Sequence, residues 1–109
     1  MVACCCLVTV ASDDEALAIG RVVVEERLAA AANVIAGATS IYWWQGALAQ
    51  AHEAVLILKT RTELVERLTA RIKDLHSYQC PGVIALPIAA GNQDYLDWID
   101  RETASASIA

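Results

Sequence analysis

The chain has 109 residues, of which 57% are hydrophobic and 19% are charged, and its mean hydropathy is +0.42. This length is sufficient for one domain with a continuous core and too short for two folded domains. Thirteen acidic and eight basic residues give a net charge of −5 without a basic cluster, so nucleic acid and anionic membrane surfaces are excluded as expected partners. The low charged fraction predicts an oligomer, because a monomer would leave apolar surface in water.

The cysteines and the N-terminal segment indicate a cytoplasmic protein. Cys4, Cys5 and Cys6 are consecutive and Cys80 is distant, which makes a poor disulfide framework and favours a reducing compartment. The apolar N-terminal segment has no preceding Lys or Arg, so it is interpreted as a strand and not as a signal peptide. The longest uncharged run, residues 28–51, is interrupted by polar residues and glycines and predicts strands instead of a membrane span.

Hydrophobic periodicity and turn signals predict six regular elements and a closing helix. Uncharged segments rich in Val predict strands, and apolar residues three and four positions apart predict helices. Capping boxes at Ser12 and Thr60 mark the starts of the two longer helices. In chain order the predictions begin with a strand over 2–10, a helix over 12–30, a strand over 33–45 with a turn or bulge at Gly37, and a strand over 53–60. Gly46 and a few small residues join the last two strands as a predicted hairpin. A helix over 60–76, a strand over 83–88 and a short helix after Gly91-Asn92 follow.

The order β-α-β-β-α-β with a terminal helix predicts an α+β fold of the ferredoxin-like type, also called the split β-α-β arrangement. Its antiparallel sheet carries two helices on one face. Residues 1–103 form the predicted single domain, and residues 104–109 form a predicted flexible tail. Because residues 41–44 are apolar on both faces of their strand, another subunit's sheet is the expected cover for the open face.

Signatures of a tight metal site or a catalytic centre are missing from the sequence. HExxH, CxxC, GxSxG, SxxK and a glycine-rich phosphate loop do not occur. Cys4 and Cys6 share one strand face and could hold a soft metal if another thiol or imidazole approached, although consecutive cysteines in an apolar strand more often act as small hydrophobes. His76 has no ligand-spaced partner in the sequence, and capping of a helix C-terminus is the alternative to metal ligation by this residue. We do not expect an enzyme, because no nucleophile is paired with a base.

The chain concentrates aromatic residues that carry a polar group, with three Trp, three Tyr and no Phe. Such residues suit half-buried positions, and both packing at a subunit seam and a cleft for a small ligand would explain them. The set comprises Tyr42, Trp43, Trp44, Tyr78, Tyr95 and Trp98, beside Glu53, Lys59 and His76.

Several segments carry a family resemblance. The run Ala36-Gly37-Ala38-Thr39-Ser40-Ile41-Tyr42-Trp43-Trp44-Gln45-Gly46, followed by Glu53 and Leu56-Ile57-Leu58-Lys59-Thr60, resembles the CutA family of divalent-cation tolerance proteins. The segment His76-Ser77-Tyr78-Gln79-Cys80-Pro81 is similar to that family's His-Pro-Tyr-x-x-Pro-Glu, and residues 91–99 are similar to its closing segment. The resemblance covers residues 6–101.

The sequence departs from the family pattern at three positions. A frequent Cys at the end of the first helix is Ala31 here, a Pro before the glycine is Ala36, and a Glu after the His-Pro-Tyr segment is Gly82. Two potential copper ligands are therefore missing, which argues against copper binding through the family's thiolate.

The resemblance implies a ferredoxin-like subunit in a homotrimer similar to the PII signal-transduction proteins, with no established enzymatic activity. It implies a link to tolerance of copper and other divalent cations, no required cofactor, and an unidentified protein partner. Cu(II) or another divalent cation is the implied ligand, and His76 is its expected ligand residue. The family's polar and aromatic positions place an inter-subunit cleft at Tyr42, Trp44, Glu53, Lys59, Tyr78, Tyr95 and Trp98.

Two functional hypotheses follow from this resemblance. In the first, the trimer binds copper or other divalent cations weakly at an inter-subunit site built on His76 and contributes to the metal-ion response. In the second, a PII-like signalling module holds a small anionic metabolite in the cleft through Lys59 and stacking aromatics.

Overall fold

A computed structural model describes residues 2–106 as one α+β unit. Its strands and α-helices follow one another in the predicted order. The elements are β1 (Ala3–Val10), α1 (Asp13–Glu25), β2 (Ala31–Trp44), β3 (Ala47–Arg61), a short 3₁₀ helix (Thr62–Leu64), α2 (Val65–Leu75), β4 (Val83–Pro87) and α3 (Gln93–Thr103).

The four strands form one antiparallel sheet in the order β2-β3-β1-β4, with β1 between β3 and β4. This is the ferredoxin-like topology expected from the sequence. Alternate residues of β1 and β3 are buried and face α1 and α2, because successive strand side chains point to opposite sides of a sheet. The buried core includes Cys4, Cys6, Val8, Val10, Ile19, Val23, Leu56, Leu58, Leu68 and Ile72.

Helix α1 ends at Glu25, five residues before the predicted end at Ala30. The Leu28 amide donates to the Val23 carbonyl at 2.9 Å and the Arg27 amide donates to the Val24 carbonyl at 3.0 Å. This is a Schellman motif, whose left-handed residue is Arg27 at φ 65° and not the usual glycine. Because Leu28 and Ala29 are buried beyond the motif, their hydrophobicity extended the helical pattern past the true end.

The predicted hairpin is confirmed, and both of its strands are longer than expected. The predicted irregularity at Gly37 is a bulge, where the register shifts between Ile35 and Ala38 and Gly37 has φ 78°. The turn consists of Gln45 at φ 50° and Gly46 at φ 83°, which are the two positive values of a type I′ turn. We call the part of β2 and β3 beyond the bulge, residues 38–53, the hairpin arm.

The two predicted capping boxes have different outcomes. The Ser12 hydroxyl accepts from the Glu15 amide at 3.2 Å, so the first cap is confirmed. Thr60, the predicted second cap, lies in β3 and donates its hydroxyl to the Leu28 carbonyl at 2.8 Å. The strand continues past Thr60 because Thr60 pairs with Cys4 of β1, and α2 begins only after the 3₁₀ turn.

The C-terminal part packs onto the sheet through Arg61. Its guanidinium donates to the Thr103 hydroxyl at 3.1 Å and to the Thr103 carbonyl at 3.0 Å. Ala106 is buried, and the Arg67 guanidinium donates to its carbonyl. The predicted tail over 104–109 thus starts with a packed turn, while residues 107–109 lie outside the described residues. The domain boundary at residue 103 stays a prediction.

The hairpin arm presents apolar side chains to solvent in the single chain. The exposed fractions are 75% for Trp43, 65% for Ile41 and 63% for Leu48. The apolar surface expected from the composition is therefore present, and its cover by another subunit stays a prediction. Among the helices of residues 2–106, none combines the length and the apolar character that a membrane crossing needs.

Candidate functional site: the Glu53 cleft

A cavity of about 500 Å³ lies where the hairpin arm leaves the body of the sheet. Its volume falls within the range of small-molecule sites. We call it the Glu53 cleft. It is lined by Thr9, Tyr42, Trp44, Glu53, Ser77, Tyr78, Gln79, Cys80 and Gly82.

Strand pairing places the lining residues on one face of the sheet. Thr9 of β1 pairs with Val55 of β3, and Glu53 lies two residues before Val55, so these three side chains share one face. Ala38 of β2 pairs with Glu53 and lies on the same face. Tyr42 and Trp44 follow Ala38 at even spacing and therefore point to the side of Glu53. The segment from Ser77 to Gly82, between α2 and β4, forms the remaining wall.

Glu53 is the charged centre of the cleft. Its exposed fraction is 7%, and its Oε2 accepts a hydrogen bond from the Tyr78 hydroxyl at 2.6 Å. Burial and the adjacent Glu53 carboxylate raise the pKa of the Tyr78 hydroxyl, which keeps it a donor. Among the described residues that line the cleft, Lys, Arg and His do not occur, so the cleft is electrostatically suited to positive charge.

His76 lies behind the cleft wall and has both ring nitrogens hydrogen-bonded. Its Nε2 donates to the Thr9 carbonyl at 2.8 Å, because its Nδ1 accepts from the Tyr78 amide at 3.0 Å. The side chain has an exposed fraction of 0%. A metal ion could reach Nδ1 only by displacing the Tyr78 amide, so the geometry favours a role in positioning the wall. Metal ligation by His76 stays a prediction.

Glu15 has a second role that the sequence did not reveal. Its Oε2 accepts from the Ser77 amide at 3.1 Å and from the Ser77 hydroxyl at 3.0 Å, and it lies 3.6 Å from His76 Nδ1. The capping-box pattern explained Glu15 by local contacts alone. A partner 62 residues away leaves no periodic signal in the sequence.

Three residues predicted for the inter-subunit cleft do not line the Glu53 cleft of their own chain. Lys59 lies six residues along β3 from Glu53, about 20 Å in an extended strand. Its Nζ donates to Asn33 Oδ1 at 2.5 Å. Tyr95 and Trp98 stack on each other on α3 at 5.5 Å. The position of these residues relative to a neighbouring subunit's cleft depends on how the chains assemble. The inter-subunit cleft therefore stays a prediction.

The cysteines differ in their surroundings, and all four are free thiols. Cys4 and Cys6 are buried in the core as predicted, and burial raises the pKa of Cys6 to about 12. Cys80 is exposed and lines the Glu53 cleft. Within residues 2–106, no three His, Cys, Asp or Glu residues are grouped so that they could hold a metal ion. A closed metal site usually needs four ligands, and the described part of one chain shows no such group.

The fold and the cleft define a class: a small α+β protein with an acidic cleft lined by aromatic side chains. The CutA1 divalent ion tolerance protein family matches residues 4–102 of the chain. The chain therefore belongs to the CutA1 family.

Known relatives agree with this assignment. The divalent-cation tolerance protein CutA of Thermus thermophilus is 47% identical over 71 residues, which cover 65% of this chain and 69% of that protein. Protein CutA 1, chloroplastic, of Oryza sativa subsp. japonica is 45% identical over 71 residues, or 65% of this chain and 40% of the longer rice protein. The solved structure of the divalent cation tolerance protein CutA1 from Thermus thermophilus superposes with a TM-score of 0.90 at 46% identity, covering 93% of this chain and 98% of that one.

Proposed function

We propose that the chain acts as a homotrimer in tolerance to divalent cations, and that it binds copper or another divalent cation weakly at an inter-subunit site. The observation that carries this proposal is the Glu53 cleft. Its carboxylate is nine-tenths buried, and none of the described residues that line the cleft is basic. Family membership supports the same conclusion. A cytoplasmic location also belongs to this proposal, and the four free thiols support it.

Glu53 is the ligand residue that the geometry favours, in place of His76. Its carboxylate lines the cleft, whereas the imidazole is buried and fully hydrogen-bonded. A hydrated cation held by one carboxylate, with further ligands from water or a neighbouring subunit, fits weak binding. We propose a binding role and not a catalytic one.

The alternative, an anionic metabolite held by Lys59, has less support. The Lys59 ammonium is paired with Asn33 and lies on a distant part of β3. An anion in the Glu53 cleft would face a buried carboxylate without a compensating cation among the described lining residues.

Equilibrium dialysis of the purified protein against CuSO₄ and ZnSO₄ tests the proposal. Glu53→Gln should lower the affinity for the cation at least tenfold, because it removes the charge and keeps the shape. Glu66→Gln is the matched control, since Glu66 is exposed on α2 away from the cleft. Unchanged binding in Glu53→Gln would overturn the assignment, and loss of binding in His76→Ala alone would restore His76 as the ligand.

A further inference from the structure

We propose that the Glu53 cleft also binds an alkylated ammonium ion, held by the carboxylate and by the faces of its aromatic side chains. This inference rests on the proposed function only in that both require a cleft that accepts positive charge. It differs in the chemistry of the ligand, because an alkylated ammonium ion has no vacant coordination position and needs no lone-pair donors.

The composition of the cleft wall offers an organic cation contacts that a metal ion does not use. Three aromatic rings, those of Tyr42, Trp44 and Tyr78, line the same cavity as the Glu53 carboxylate. Aromatic faces carry negative electrostatic potential and attract cations, and they provide no metal ligands. The described residues also lack a grouping of three metal-ligating side chains. The cleft therefore offers a cation three aromatic side chains and one carboxylate.

The charge of the cleft also suits a weakly hydrated monocation. The Tyr78 hydroxyl already donates to Glu53 Oε2, which orients the carboxylate without neutralising it. A metal ion held at Glu53 keeps water ligands between itself and the rings, whereas an alkylated ammonium ion is weakly hydrated and gains from direct contact with them. The cavity of about 500 Å³ has room for such a group and for a larger molecule that carries it.

The two adjacent tryptophans of β2 offer a matched pair of variants. Trp44 lines the cleft, whereas Trp43 alternates to the other side of the strand and is 75% exposed. Trp44→Leu removes an aromatic face from the cleft and keeps apolar bulk. Trp43→Leu makes the same chemical change one residue away and outside the cleft.

The experiment is an NMR titration of the assembled, isotope-labelled protein with tetramethylammonium chloride, with NaCl added to keep the ionic strength constant. Saturable shifts are expected at cleft residues, and tert-butanol, the neutral compound of similar shape, should cause none that saturate. Trp44→Leu should weaken the binding by about 5- to 30-fold, the equivalent of one cation–π contact. Glu53→Gln should weaken it at least tenfold. Trp43→Leu, which keeps an apolar side chain on the outer side of the arm, should leave it unchanged in protein that sediments with the mass of the wild type.

Copper titrations of the same proteins separate this inference from the proposed function. Copper binding that depends on Glu53 and is unaffected by Trp44→Leu is expected. If copper binds in this way and tetramethylammonium does not bind, the inference is overturned and the proposed function stands. Equal binding of tetramethylammonium by the Trp43 and Trp44 variants also overturns it. A structure of the assembled protein in which a neighbouring subunit fills the cleft would overturn it as well. Should Trp44→Leu fail to fold or assemble, Tyr42→Leu provides the second test of the aromatic wall.

Discussion

At the residue scale, the cleft depends on a carboxylate that folding removes from water. Such burial is costly unless the group is hydrogen-bonded, and the Tyr78 hydroxyl supplies a bond of 2.6 Å. The sequence pointed to Glu53, Tyr78, Tyr42 and Trp44 through their residue types and the family resemblance. It did not reveal the wall residues Ser77 and Cys80 as neighbours of Glu53, because their position depends on how a connecting segment folds back over the sheet.

The raised pKa of Tyr78 predicts a loss of stability in alkaline solution. The unfolded tyrosine ionises near pH 10, whereas the folded hydroxyl keeps its proton to higher pH, so its contribution is complete below pH 10 and declines above it. Between pH 9 and pH 11 the wild type should lose about 1 kcal/mol more unfolding free energy than Tyr78→Phe. Urea unfolding at the two pH values measures this difference. Equal losses in the two proteins would contradict it.

The two hydrogen bonds of His76 predict that this residue stabilises the fold whether or not a metal ion is bound. Replacing His76 by Ala leaves the Thr9 carbonyl and the Tyr78 amide without their partner, and should lower the unfolding free energy by about 2 kcal/mol. His52→Ala is the control, because His52 is exposed and its contact with Thr39 measures 3.5 Å. Urea unfolding in the presence of a chelator gives both values. Equal stability of the two variants would show that His76 does not hold the cleft wall.

At the scale of elements, the sequence predicted every strand and α-helix among the described residues, misplaced some of their ends and did not predict the 3₁₀ turn. The misplaced ends share a physical cause. The end of α1 is set by Arg27 in a left-handed conformation, and the end of β3 is set by pairing with β1. Local propensity signals neither, since Arg carries no turn preference and strand pairing joins residues far apart in the sequence. The bulge and the turn were predictable because glycine marks both.

The type I′ turn of the hairpin arm predicts a specific tolerance at Gly46. A Cβ there meets nothing within 4 Å, so the cost of a substitution comes from φ 83° alone. Gly46→Val should lower the unfolding free energy by about 1 to 2 kcal/mol, because a β-branched residue resists the left-handed region. Gly46→Asn should cost much less, since Asn tolerates that region. Thermal unfolding of both variants tests this, and equal effects would contradict a conformational origin.

At the scale of the whole molecule, the single chain has a complete core and an incomplete surface. Buried residues extend through the sheet and both long helices, yet three large apolar side chains of the hairpin arm are more than 60% exposed. An isolated chain with such a patch should associate. The composition predicts this association, which stays a prediction. The geometry of neighbouring subunits was not predictable, because it depends on surfaces whose pairing no local sequence pattern encodes.

The proposed homotrimer predicts a particle of three 11.7 kDa chains at micromolar concentration. Trp43→Asp should shift the population towards monomers, because it places a charge on the most exposed apolar position of the arm. Lys73→Asp, on the exposed face of α2, is the matched control. Sedimentation equilibrium gives the masses. A monomeric wild type would overturn the proposed assembly.

The three tryptophans occupy three separate environments, and this gives the protein built-in optical reporters. Trp44 lines the Glu53 cleft, Trp43 points away from it on the same strand, and Trp98 stacks with Tyr95 on α3. Single-tryptophan variants would emit from the cleft, from the outer side of the arm, or from the C-terminal helix. Ligand uptake, association of the arm and local opening of α3 could then be followed separately by emission wavelength and quenching, without an added dye.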